Sequence, residues 1–361
     1  MRYTTTVIAL AAFGLLGSVD AAPSRSSGRW VNLASIPTPR QEHGTVAIGN
    51  SIIAIVGGIA PQDNGTTAVT TDLVQLYDIT SNTWRTGSAS PFKVNHPNLA
   101  SVDPNKLYLL GGLTDVPPPN GQDVDMNWIA SKDCYVYDAA TDTWAEIASM
   151  PNGTERGSSV VGVHNEMIYL AGGMTVLQTE YQDAINSVIS FNTTSGLWQR
   201  LESAAAELPA SRQHATGSVI GDSFYVIGGR RYGQMYQRDT VFELDLQNIE
   251  AGWRTSSGHM PTSRGGIFGG AVDGKFYVFG GEGNRDSITG VYNQTEMFDI
   301  ALERWAELSP MAVSRHGTQA AVTRGCIYIP GGGLQQDGKE VMVGGKTTYH
   351  NPTSHFDVYC P

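Results

Sequence analysis

A Gly-Gly pair closes a short apolar run six times in this chain, at Gly57-Gly58, Gly111-Gly112, Gly172-Gly173, Gly228-Gly229, Gly280-Gly281 and Gly331-Gly332. The runs before it are alike: "IIAIV", "KLYLL", "MIYLA", "SFYVI", "KFYVF" and "CIYIP". A tryptophan recurs in step, at Trp30, Trp84, Trp144, Trp198, Trp253 and Trp305, with intervals of 54, 60, 54, 55 and 52 residues. Between each pair and the next tryptophan lies a run closing in an acid or amide: "LVQLYD", "CYVYD", "VISFN", "VFELD", "EMFD". Each tryptophan is followed by a proline-containing loop and then a basic residue. Self-similarity at a fixed period dictates a repeat architecture. The short Val/Ile/Tyr/Phe runs, bounded by Gly, Asn, Asp and Pro, make every repeat a set of strands. No long segment carries a helical period.

The strand before each Gly-Gly is apolar on both faces, as stacked sheets require. Glycine ends it where a side chain would obstruct close backbone approach. Tyr108, Tyr169, Tyr225, Tyr277 and Tyr328, with the tryptophans, supply large contact area between sheets. Asp78, Asp138, Asp245 and Asp299, with Asn192 in the third unit, precede turns whose N–H groups a side-chain oxygen accepts. This pattern covers the chain after its leader and resembles the kelch repeat. The resemblance implies an all-β, six-bladed kelch β-propeller of the galactose oxidase/kelch type, with four-stranded antiparallel blades. In each blade strand a follows the basic residue, b ends in Gly-Gly, c ends in the acid and d carries the tryptophan. The last blade lacks a d strand after "HFDVYC", and Trp30 has no a, b or c before it. The Trp30 segment is therefore expected to complete the last blade beside the C-terminal strand, which removes the exposed edges of an open array.

The three cysteines bear on this closure. Cys326 begins strand b of blade six and Cys360 ends strand c, and in antiparallel neighbours those positions adjoin. A Cys326–Cys360 disulfide is expected. Cys134 is left over, as a buried, inert thiol.

Residues 1–21 have Arg2, an apolar run from Val7 to Leu16 and small residues before the expected cut after Ala21, the pattern of a secretory signal peptide. Residues 22–361 then form a single domain, expected to be extracellular and without a membrane span. Sequons at Asn64, Asn152, Asn192 and Asn293 mark glycosylation sites consistent with that address. A net charge of −11, with no basic run, argues against nucleic acid as a partner. A monomer is expected.

Propellers carry function on loops at one end of the channel. The d–a loops share a basic position: Arg40, Lys93, Arg156, Arg212, Arg264 and Arg315. The kelch resemblance implies a carboxylate-binding role there, so a cationic funnel is expected. Trp128, Arg230 and Tyr232, on the b–c loops, add a binding rim of the type that anchors partners. His43, His96, His214 and His316 are candidate metal ligands near the axis, although packing is the usual role of such histidines and no cofactor is expected. The resemblance brings copper and iron into view through galactose oxidase and the plant specifier proteins. Cys134 would have to serve the first chemistry, and Glu282, Asp286 and Gly290 match only part of the second pattern.

The reading is a secreted propeller that binds an acidic small molecule, glycan or partner peptide at a cationic funnel. The alternative is an enzyme, of mutarotase (isomerase), specifier or oxidase type, acting on a small anionic molecule in the same place, in secondary metabolism for instance. No nucleophile elbow, HExxH or phosphate loop is present.

Overall fold

The computed structural model describes residues 28–61, 68–117, 126–179 and 181–361. The leader expected over 1–21 and the sequon at Asn64 lie outside them. Six antiparallel sheets, each with strands in the order a-b-c-d, make up the fold. Blade one is Gly44–Ile48, Ile52–Val56, Val74–Asp78 and Thr83–Thr86. Blade two has long b and c strands, Lys106–Asp115 and Asn127–Asp138, and Val176–Gln178 from the next blade joins its upper end. Among the described residues the helical segments are two 3-10 turns, Ser203–Ala205 and Ile249–Ala251.

The last blade is built from both ends of the chain. Arg29–Asn32 pairs with Phe356–Cys360, which pairs with Cys326–Pro330 and then Ala321–Thr323. Trp30 lies opposite Tyr359, and its indole packs on Tyr359 at 4.9 Å and on Phe279 of blade five at 5.3 Å. Cys326 and Cys360 form the expected disulfide beside this seam.

Strand b is buried on both faces, as its sequence requires: Ile53 to Val56 and Phe276 to Phe279 are inaccessible or nearly so. The Gly-Gly that follows it is an inter-blade joint. The second glycine N–H donates to a carbonyl of the next blade: Gly58 to Val94 at 2.8 Å, Gly173 to Arg212 at 2.7 Å, Gly281 to Arg315 at 2.8 Å and, across the seam, Gly332 to Arg40 at 2.8 Å. A Cβ on Gly57 would lie 2.2 Å from the Val94 carbonyl oxygen, and its φ is +65°. Only glycine meets both demands. The tryptophans tie the outer ends, since Trp84 donates to the Ala34 carbonyl at 2.8 Å and Trp198 to that of Ala148 at 2.7 Å. At the c–d turns Asp78 Oδ1 accepts the Ser81 N–H at 2.7 Å, and Asn192 Oδ1 accepts that of Ser195 at 2.8 Å.

Candidate functional site

The six d–a loops converge on the axis, but the arginines they carry turn into the blades. Arg40 donates to the carbonyls of Gly57 (3.0 Å) and Leu73 (2.7 Å) and to Gln75 Oε1 (2.9 Å). Arg156 donates to Gly172 (3.1 Å) and Ser187 (2.7 Å). Arg264 reaches Gly280 O (2.7 Å) and the Glu296 carboxylate (2.7 Å), and Arg315 pairs with Asp357. Arg212 donates to Thr240 Oγ1 and lies over the Phe242 ring at 4.6 Å. All five are buried, four of them completely. The planar fork satisfies the end of strand b and the start of strand c at once. The expected cationic funnel is therefore corrected: these guanidiniums clamp strands and face no channel. In blade two the clamp position is held by Val94, whose carbonyl receives the Gly58 N–H, and Lys93 stands exposed one residue earlier.

Two residues beyond the clamp, each loop places one residue at the axis with positive φ: Glu42, His96, Ser158, His214, Gly266 and Gly317, all between +50° and +63°. They form a closed hoop, with five backbone-to-backbone links and one to a side chain. Glu42 N–H donates to Gly317 O, His96 to Glu42 O (2.8 Å), Ser158 to His96 O (2.9 Å), Gly266 to His214 O (3.0 Å) and Gly317 to Gly266 O (3.2 Å). The sixth link runs from His214 N–H to Ser158 Oγ at 3.1 Å. Non-glycine residues with positive φ are uncommon and cluster where function or strain holds them. Three of the six here carry ionisable side chains.

On the loop side of the hoop lies a chamber of about 410 Å³. Glu42, His96 and His214 form part of its wall, with Trp128, Arg230, Gln234, Glu282 and Asp337 around them. The long b–c loop of blade six reaches across it. Gln336 donates to Gln234 Oε1 of blade four (2.7 Å) and accepts the Gly283 N–H of blade five (3.0 Å), and Asp337 accepts from Gln41 of blade one (2.6 Å). A second hollow of about 380 Å³, lined by the a strands, opens beyond the hoop on the opposite side.

Opposite charges balance in this chamber. Arg230 is buried against Glu282, and its Nε donates to Gln213 Oε1 at 3.0 Å. Burial pushes the Glu42 carboxyl well up, against the pull of His316. Burial, reinforced by Arg230, pushes His96 down to about 3 and His214 well below its ordinary value. His316 moves the other way: burial opposes its charge, but Glu282, Asp337 and Glu42 outweigh it. Burial likewise resists ionisation of Asp337, yet His350 at 2.9 Å holds it low.

The other sequence candidates divide. Trp128 and Arg230 do line the chamber, Trp128 donating to Asp115 Oδ1 at 2.7 Å. Tyr232 is exposed on an adjoining surface hollow with Tyr181 and Tyr236. Of the candidate ligands, His214 joins the cluster and His316 stands 3.8 Å from Glu42 Oε1. His43 does not join it: its imidazole lies against the Gly44 carbonyl, Thr45 and Thr318. Cys134 packs between blades two and three with Ile168 and Leu170, away from the axis. Asp286 is exposed while Glu282 is buried, so no specifier-like pair forms. Sequence reasoning placed His96 and His214 near the axis but missed Glu42. The signal was their shared register, two places past the clamp, where two other loops have glycine.

Six four-stranded blades, Gly-Gly joints and clamping arginines define a kelch-type β-propeller. The chain belongs to the kelch-repeat family: the KLHDC2/KLHL20/DRC7 Kelch-repeats domain matches residues 157–358. It is similar to Kelch-like protein terF of Aspergillus terreus, 34% identical over 345 residues, covering 92% of this chain and 72% of that protein. It also resembles human Kelch-like protein 38 (24% over 273 residues) and Kelch-like protein 23 of Pongo abelii (25% over 268). The alignments cover 44% and 41% of those two proteins, less than half of each.

Proposed function

We propose that this propeller binds a small polar molecule in the axial chamber between the hoop and the blade-six loop. One observation carries the reading: a partly open chamber of about 410 Å³ that combines apolar walls, Trp128 and Leu177, with convergent polar groups. Small-molecule sites have this size and mixture, roughly 300–1,000 Å³. The ligand is not restricted to acids, because the clamping arginines are committed to the blades and Arg230 to Glu282. The extracellular address belongs to the proposal. The Cys326–Cys360 bridge supports it, since disulfides persist in oxidising compartments, and so does the exposed sequon at Asn152. Glycan or peptide binding would use the outer rim near Tyr232 instead.

An enzymatic reading is favoured by a single feature, the buried carboxyl and two imidazoles in the chamber wall. Groups so displaced from their ordinary values collect at active sites.

Thr179 is an exposed residue at the chamber mouth, so Thr179→Trp should fold and obstruct entry. Neutral sugars, sugar acids and phenols are screened for a shift in Tm. A hit expected for this account stabilises the wild type and loses at least tenfold in affinity for the variant. No hit across the panel, or equal affinity for both proteins, would refute it.

A further inference from the structure

Glu42, His96 and His214 come from blades one, two and four and are all buried. Glu42 Oε2 lies 3.1 Å from His96 Nε2, His96 Nε2 lies 3.1 Å from His214 Nε2, and His214 Nε2 lies 3.9 Å from Glu42 Oε2. Two ring nitrogens facing each other at 3.1 Å need something between them.

The hydrogen-bond network says what each nitrogen carries. His214 Nδ1 faces Gln213 Oε1. That oxygen is fixed, because it also accepts the Arg230 Nε–H, while the Gln213 amide nitrogen donates to the Tyr232 carbonyl at 2.9 Å. His96 Nδ1 faces Asn95 Oδ1 at 2.6 Å, with the Asn95 amide donating to Thr70 Oγ1 at 2.9 Å. Both imidazoles therefore donate at Nδ1 and present lone pairs at Nε2. A proton on Glu42 satisfies one of these nitrogens and leaves the other bare. A cation satisfies both, together with the carboxylate.

We infer that Glu42, His96 and His214 hold a divalent first-row transition metal whose open positions face the chamber. The point equidistant from the three donor atoms lies about 2.0 Å from each, from the separations above. Zinc–nitrogen and zinc–carboxylate bonds are ~2.0–2.2 Å. Two imidazoles and one carboxylate suit zinc or iron(II) over calcium and magnesium, which favour all-oxygen sets. The Asn95 and Gln213 carbonyls supply the outer hydrogen bonds that orient ligating histidines elsewhere. Three protein ligands leave room for water or a bound molecule, which is how catalytic rather than structural sites are built. This inference goes beyond the ligand-binding proposal, and metal content is measured with no organic ligand present.

The test begins with metal analysis of the purified chain. Zn²⁺ and Co²⁺ are then titrated calorimetrically into chelator-treated protein. One ion per chain is expected, with His96→Gln and His214→Gln each weakening binding by about 100-fold. His164→Gln, at a surface histidine bonded to Asp222, should change nothing. Should the axial variants fold poorly, the visible absorption of the wild-type Co²⁺ complex reads the site directly, and a four- or five-coordinate N/O spectrum is expected. Absence of stoichiometric binding by Zn²⁺, Co²⁺, Fe²⁺, Cu²⁺ and Mn²⁺ would overturn the inference and leave a shared proton in the cluster. So would binding that survives the double variant.

Discussion

Trp30 and Tyr359 lie opposite one another in adjacent strands, although they come from opposite ends of the chain. Their pairing makes the propeller a closed ring. Trp30→Ala removes contacts with Tyr359 and Phe279 and should destabilise by roughly 2–4 kcal/mol, below the largest core truncations because the indole is only partly buried. Denaturant unfolding measures it. Deleting residues 28–33 should expose the edge of Phe356–Cys360 and produce concentration-dependent aggregation.

The disulfide closes the same seam covalently. Cys326 and Cys360 are 34 residues apart, and the chain-entropy model assigns a loop of that length about 3–4 kcal/mol. Cys326→Ser with Cys360→Ser should lower unfolding free energy by that order without altering the native fold, as circular dichroism and guanidinium titration can show.

Arg264 and Glu296 are a fully buried pair at 2.7 Å. Arg264→Ala leaves the carboxylate without its partner and should cost about 3–5 kcal/mol. Arg40→Lys should also destabilise, since one ammonium cannot match the fork that spans Gly57, Leu73 and Gln75. In whatever fraction folds, ligand affinity should be unchanged. Affinity lost in step with each clamp variant would restore the cationic funnel.

Much of the fold was legible in sequence because its signals are local and repeated. Gly-Gly, Trp and the c-strand acid recur at nearly fixed spacing, so blade number, ring closure and the disulfide all follow from counting. The direction of the arginines was not legible. It depends on carbonyls such as Leu73 and Ser187, which strands c bring to the guanidinium from distant parts of the chain. Lys93 was misassigned because blade two departs from the repeat by one position, with Val94 in the clamp. The cluster needs His96 and His214, 118 residues apart, to meet at the axis. Only the blade geometry does that.

Glu303 links blades four and five. The Ser257 hydroxyl and N–H, with Arg254, hold its carboxyl down at about 2. A carboxylate depressed in the folded state contributes stability above its ordinary value, and loses it as pH falls toward the folded value. The Tm advantage of wild type over Glu303→Gln should be full above pH 4.5 and shrink between pH 4.5 and 2. A gap independent of pH would contradict this.

Burial pushes the Cys134 thiol up to about 12. Native protein should therefore resist iodoacetamide at pH 8 and react at this one thiol only when unfolded under non-reducing conditions, as intact-mass measurement would show.

The account rests on function lying at the axial cluster rather than at the ring of clamping arginines. The most direct measurement is an anomalous difference map from crystals grown with Zn²⁺ and collected at the zinc edge. The predicted result is one peak about 2 Å from Glu42 Oε2, His96 Nε2 and His214 Nε2, with its free side toward Trp128. A map with no peak there, or with zinc bound only at surface histidines, would contradict it.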